Sequence, residues 1–181
     1  MAKRLFIDLE TTGDGSSKYH DIIEINAIVT DNGNTTAEFN ALYGLSSRSV
    51  FSGGRNYHKA VKHKHDGRKT SFEGIEEFEV WLNTHIGEDK AFLVSYNCNW
   101  DKKHLDNWFW RNKKEPITRF IYTNCACSMT LCSCRYDKFL KLHDCATKLG
   151  IQVDYDQLHT ARYDNTLNRR IYYNLANKIK N

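Results

Sequence analysis

The sequence predicts an α/β fold in which a mixed sheet is covered by helices. Two observations carry the prediction. The first is a run of three strand-like segments near the N-terminus, the last two joined by tight-turn residues. The second is an alternation of helical and strand-like segments over the rest of the chain, which adds covering helices to the sheet.

Residues 4–10 read as the first strand, apolar until it reaches Asp8 and Glu10. Residues 22–30, Ile-Ile-Glu-Ile-Asn-Ala-Ile-Val-Thr, form the second, rich in β-branched side chains. Asp31-Asn32-Gly33-Asn34 is a hairpin signal centred on Asn32-Gly33, and residues 35–43 return as a third strand. The stretch 44–69 is irregular and basic. From Ser71 to Ile86 the period becomes helical, with Ile75, Phe78, Trp81, Leu82 and Ile86 at spacings of three and four. Ala91 to Ser95 reads as a buried fourth strand. Residues 99–112 read as a helix with Trp100, Leu105, Trp108 and Phe109 on its apolar side, and 119–123 as a fifth strand. Lys138 to Leu149 reads as a helix closed by Gly150. The last helix carries Leu167, Ile171, Leu175 and Ile179 at a spacing of four. Pro116 belongs to a connection between elements.

At 181 residues, the chain is expected to form a single domain over 1–181, large enough to bury a full core. Apolar and aromatic contents of 40% and 13% fit a globular protein. No apolar run approaches the roughly 20 residues that span a bilayer. The N-terminus reaches an acid, Asp8, too early for a secretory signal. A cytoplasmic protein without membrane contact is therefore expected, with its six cysteines as free thiols. Cys125, Cys127, Cys132 and Cys134 are paired thiols, but their C-x-C spacing is tighter than the knuckles of structural zinc sites. Small buried hydrophobes and exposed thiols are the alternative to zinc. The net charge of +4 is mild. Its distribution says more, because Arg55, His58, Lys59, Lys62, His63, Lys64, His65, Arg68 and Lys69 crowd one loop, which suits either phosphate contact or a solvated surface.

The chemistry concentrates in acids. Alternation along a strand puts Asp8 and Glu10 on the same face. Two anions side by side repel unless a cation lies between them, and hard divalent cations prefer such oxygen ligands. Asp101 falls in the first turn of a helix just after the fourth strand, and Asp164 in the first turn of the last helix. Strand ends and helix starts are where α/β folds gather ligand sites. An acid in a first turn also offsets the helix dipole, so neither aspartate taken singly demands a functional reading.

Taken together, these segments resemble the DEDDh family of 3′→5′ exonucleases. Its D-x-E-T-x-G motif is matched by Asp8-Leu9-Glu10-Thr11-Thr12-Gly13 and its I-I-E-I-G-A strand by Ile22-Ile23-Glu24-Ile25-Asn26-Ala27. N-x-x-F-D is matched by Asn97-Cys98-Asn99-Trp100-Asp101, and H-x-A-x-x-D by His159-Thr160-Ala161-Arg162-Tyr163-Asp164. Cys127-Ser128-Met129 and Lys141-Leu142-His143-Asp144 resemble its C-T-M and K-L-x-D connections. The chain departs from the family at Asn26, where Gly is usual, and around His65-Asp66-Gly67, where H-G-I-T is usual.

The resemblance implies a ribonuclease H-like fold and two Mg²⁺ or Mn²⁺ ions roughly 3.5–4 Å apart. By carry-over, Asp8 would bridge both ions, Glu10 and Asp164 would complete the site of the attacking water, and Asp101 would serve the second ion. His159 would be the general base, a role suited to a side chain that titrates near neutrality. Leu9 and Thr11 would offer backbone amides and an apolar wedge to the terminal nucleotide, and Asn97 a substrate contact. The implied partner is single-stranded nucleic acid with a free 3′ end, held by stacking and by a basic groove, for which the 44–69 loop is the candidate. Homodimers occur in the family, and any polymerase or effector partner would be a separate polypeptide. Three alternatives stay open: short oligonucleotides or nucleotide second messengers as substrates, a non-catalytic nucleic-acid-binding module, and a zinc or redox role for the cysteine cluster. Nothing in the sequence separates DNA from RNA.

Overall fold

The computed structural model describes residues 3–14, 17–51 and 68–179, with side chains to 177. Most of the basic run, 52–67, lies outside the described residues. A five-stranded sheet has the order β3-β2-β1-β4-β5. Its strands are β1 (Arg4–Thr11), β2 (Ile22–Asp31), β3 (Asn34–Leu42), β4 (Phe92–Ser95) and β5 (Ala126–Cys127). β1, β2 and β3 are antiparallel neighbours, whereas β4 and β5 join parallel to β1. Asn32 and Gly33 form the two-residue loop with φ of 50° and 87°. Left-handed backbone at both central positions is what a type I′ turn requires.

Five helices flank the sheet among the described residues: α1 (Ser71–His85), α2 (Cys98–Arg111), α3 (Ser128–Tyr136), α4 (Leu142–Lys148) and α5 (Ala161–Ile179). Thr70 and Glu73 form a reciprocal capping box that starts α1. Gly74 lets α1 approach the sheet closely, since a Cβ there would clash with the ring of Tyr43. α1 and α2 enclose the main core, in which Phe78 stacks on Trp108 and Trp108 Nε1 donates to the Ser71 carbonyl at 2.9 Å. None of the helices is long and apolar enough to cross a membrane, among the described residues.

The mixed five-stranded sheet is as the sequence predicts, but two elements are corrected. The fifth strand is not 119–123. Ile117–Arg119 forms a 3₁₀ turn, and Ile121 makes only an isolated bridge to Ala91. That turn drives Ile117, Phe120 and Ile121 into the core, which explains the apolar pattern that imitates a strand. The strand itself is the pair Ala126–Cys127 beside Val94 and Ser95.

The second correction concerns 138–149, which is helical only over α4. Ahead of it stands α3, built from Thr, Ser and Cys residues of weak helix propensity and held by burial of Cys132. Gly150 closes α4 with φ of 73°, as expected. The stripe Leu167, Ile171 and Leu175 of α5 packs on α3 and α4 rather than on the sheet. Cys132 and Cys145 are joined as a disulfide, with Cα atoms 6.5 Å apart, so the expectation of six free thiols is corrected. With Cys132 so engaged and Cys134 exposed, the four clustered cysteines do not form a metal-ligand group among the described residues.

Candidate active site

The site forms where three chain segments meet. Even-numbered residues of β1 face α5, and Asp8 and Glu10 occupy the last part of that face. Asp8 lies opposite Asn26 on β2, and Glu10 opposite Glu24. β4 runs parallel to β1 and leads directly into α2, so Asp101 enters from the same end of the sheet. α5 begins there too and carries Asp164 in its first turn.

Asp101 is buried. Its carboxylate accepts from Ser95 Oγ at 2.5 Å and from the backbone N–H groups of Leu9 and Asp101 itself. Those bonds favour the charged form, but loss of hydration outweighs them and pushes its pKa up to about 7. Burial also raises Asp8 well above the usual carboxylate range, and the nearby charges of Asp101, Asp164, Glu10 and Glu24 push the same way. A carboxylate set among four others is an environment that favours a bound cation.

Glu10, His159 and Asp164 supply the local ligand geometry. One donor atom from each lies within 4.8 Å of the others, with Glu10 and Asp164 buried and His159 exposed. His159 holds a left-handed backbone with φ of 66°, uncommon for a residue with a Cβ and found disproportionately at functional positions. In that conformation its N–H donates to Asp164 Oδ2 at 3.2 Å, so the backbone that presents the imidazole also orients the carboxylate.

Asn97, the residue before α2, shares a cleft of about 550 Å³ with His159 and Asp164. The Leu9 side chain turns into the main core, and its backbone N–H donates to Asp101. Thr11 is fully buried, and its hydroxyl donates to the Gly13 carbonyl at 2.6 Å.

Several positioning residues escape sequence reasoning. Glu24 Oε1 accepts the Ala161 N–H at 3.0 Å and so caps α5 just beyond His159. An acid between the isoleucines of β2 is the available signal. Asn165 Nδ2 donates to the carbonyls of Phe6 and Asn26, each at 3.2 Å, and to Asn26 Oδ1 at 2.8 Å. Asn26 thereby has a structural role, since it ties α5 to β2 and also donates to Glu38 at 2.9 Å. Arg162 Nε completes the clamp by pairing with Glu38 at 3.0 Å. Ser95 gives no sequence signal, because its hydrogen bond to Asp101 is seen only in three dimensions.

Comparison with known proteins bears on the fold and the family. Residues 5–172 match the family RNase_T, described as exonuclease. No curated protein sequence matches the chain. Among solved structures, the nuclease domain of 3′hExo, a DEDDh family member bound to rAMP, superposes with a TM-score of 0.73 at 16% identity, covering 97% of this chain and 92% of that one. A 3′-exonuclease that recognises the 3′ end of a histone mRNA stem-loop gives 0.70 at 16% identity, covering 97% and 82%. E. coli Exonuclease I in complex with a dT13 oligonucleotide gives 0.73 at 16% identity, covering 95% of this chain but only 40% of that enzyme. At such identity the likeness is one of fold, the ribonuclease H-like fold. The family match decides membership, since it runs through nearly the whole described sheet and into α5: the chain belongs to the RNase_T exonucleases.

Proposed function

We propose that this chain is a divalent-metal-dependent 3′→5′ exonuclease that releases nucleoside 5′-monophosphates from single-stranded DNA or RNA. The observation that carries the reading is the convergence of Glu10, His159 and Asp164 within 4.8 Å, beside an Asp8 carboxyl that burial and then its anionic neighbours hold above the usual carboxylate range. The donor set fits a hard cation, being carboxylate oxygens with one imidazole at the rim. Asp8, Glu10, Asp101 and Asp164 would hold Mg²⁺ or Mn²⁺. When bound, such ions stabilise the charge that builds on a phosphodiester and make water acidic enough to ionise near neutral pH.

The chain's own groups supply the rest. His159, exposed and fixed by its strained backbone, takes the proton of the attacking water. Asp164 keeps its orientation through the His159 N–H. Asn97 lines the adjoining cleft, where a terminal nucleotide would meet it. The completeness of the acid set argues against a merely binding module. Recognition of an RNA 3′ end by one similar protein supports the direction of attack, and the rAMP bound to another supports the product.

The test is digestion of 5′-labelled single strands of DNA and RNA, with Mg²⁺ or with EDTA, by wild type and Asp8→Ala. Shortening by single nucleotides from the 3′ end is expected with Mg²⁺ alone. Asp8→Ala should lose roughly 10²–10³-fold or more in rate. Internal cuts, or cleavage that survives EDTA, would overturn the proposal.

A further inference from the structure

A second cleft, of about 720 Å³, lies away from the acids and is lined by Tyr19, Ser46, Arg48, Phe72, Trp110 and Arg111 among others. Its size falls in the range that accepts organic ligands. Three aromatic side chains from three separate segments are exposed there: Tyr19 at 38%, Phe72 at 54% and Trp110 at 60%. Single exposed aromatics are ordinary, but three around one concavity mark a recognition surface.

Cations interleave with the rings. Lys18 Nζ stands 4.1 Å from the centroid of Trp110, and the Arg111 guanidinium 5.8 Å from that of Tyr19. Arg48 is exposed on the same wall. The neighbouring acids are occupied. Asp21 receives Arg111 at 2.9 Å and both the N–H and hydroxyl of Ser46, and Glu73 is folded back on Thr70 as a helix cap. Rings alternating with cations suit the faces of unpaired bases and the phosphates between them.

The cleft is tied rigidly to the first motif. Thr12, two residues beyond Glu10, donates its hydroxyl to the Val50 carbonyl at 2.8 Å and accepts the Asp21 N–H at 2.9 Å. Asp21 in turn anchors Ser46 and Arg111. α2 links the same two places, with Asp101 in its first turn and Arg111 in its last. Ten helical residues rise about 15 Å, the length of roughly four stacked nucleotides at about 3.4 Å each.

We infer that this cleft is a stacking subsite for nucleotides several positions 5′ of the scissile bond, a second grip on the strand whose 3′ end enters the acidic site. The inference rests on the exonuclease reading and deepens it. Strands too short to reach Trp110 gain nothing from the cleft, whereas longer strands are held by it.

The test compares wild type with the Phe72→Ala/Trp110→Ala double variant on labelled single strands of 2 to 12 nucleotides. For the 12-mer, KM should rise about tenfold, in keeping with loss of base stacking, while kcat holds. Dinucleotide kinetics should be unchanged, and Trp110→Phe should recover most of the loss. Fluorescence anisotropy of the 12-mer in EDTA reads the same affinity without cleavage, so it judges the cleft even if the chain proves not to be an exonuclease. Lys18→Ala/Arg48→Ala, confined to exposed side chains, provides an arm that leaves the apolar packing untouched. It should flatten the salt dependence of 12-mer binding by about one unit of log–log slope. Equal losses on dinucleotide and 12-mer, or unchanged 12-mer affinity in both double variants, would overturn the inference.

Discussion

The two faces of β1 make opposite use of the same strand. Leu5, Ile7 and Leu9 point into a dry core with Phe78, Trp108 and Phe109. Phe6, Asp8 and Glu10 point toward α5, and that face changes character along its length. It begins with Phe6 packed against Tyr172 and Tyr173 and ends in carboxylates. A two-residue period lets eight residues build a stabilising surface and a chemical one back to back. The lesson is that stability and activity should come apart when the faces are disturbed separately.

The largest expected effect is on the acidic face. Asp8→Asn should abolish activity yet raise the stability of the metal-free protein, by about 1 kcal/mol, because it removes one of several mutually repelling charges. Thermal unfolding with and without Mg²⁺ checks this. Wild type should gain about 2.7 kcal/mol at a hundredfold excess over its dissociation constant, and the variant little. A variant less stable than wild type without metal would mean that the acids are not mutually strained.

The core face should answer in reverse. Gly74→Ala places a Cβ against the fully buried Tyr43 ring. Overpacking costs about 1–3 kcal/mol or more, only partly offset by about 1 kcal/mol of helix propensity. A net loss of about 2 kcal/mol is expected in urea unfolding. Residual activity per folded molecule should stay near wild type.

Glu24 lies between these extremes, since it acts on the site without belonging to the acid set. Glu24→Ala frees the Ala161 N–H and should cost about 1 kcal/mol. It should also slow turnover roughly tenfold through misplacement of His159 and Asp164, whereas Glu24→Gln, which keeps an acceptor oxygen, should do less. Equal effects of the two substitutions would show that the charge, not the cap, matters.

A pH slope is also expected from the core side. His104 is buried against Trp100 beneath the Gly13 segment, and burial first, then the charges of His20 and Lys103, lower its pKa from 6.5 to about 4. A depressed histidine binds its proton more readily in the unfolded chain. It therefore stabilises the fold above pH 6.5, and that contribution is lost as pH falls from 6.5 toward 4. Wild type should lose about 1 kcal/mol per pH unit more than His104→Asn in this window. Parallel pH profiles would place His104 in a wetter setting than the structure gives it.

Much of this arrangement is legible in the sequence. The three N-terminal strands, the Asn32-Gly33 turn, the helices at 71–85 and 98–111 and the start of α5 all follow from period and punctuation. The family motifs single out Asp8, Glu10, Asp101, His159 and Asp164 from the chain alone. The mismatches have a common cause. Residues 119–123 look like a strand because Phe120 and Ile121 are buried, and burial alone does not distinguish a strand from a 3₁₀ turn. α3 is missed because its propensity is poor and its stability comes from tertiary contact.

By itself, the sequence determined which residues could do chemistry and which strand carries them, because alternation and motif spacing are properties of the local chain. Only the tertiary structure decided how those residues are held. Ser95 on Asp101, Glu24 on the start of α5, and Asn165 across β1 and β2 are contacts between distant segments. The same holds for the ring-and-cation cleft made by Tyr19, Phe72 and Trp110. Directional hydrogen bonds and shared cavities depend on which segments meet in space, and no local pattern records that meeting.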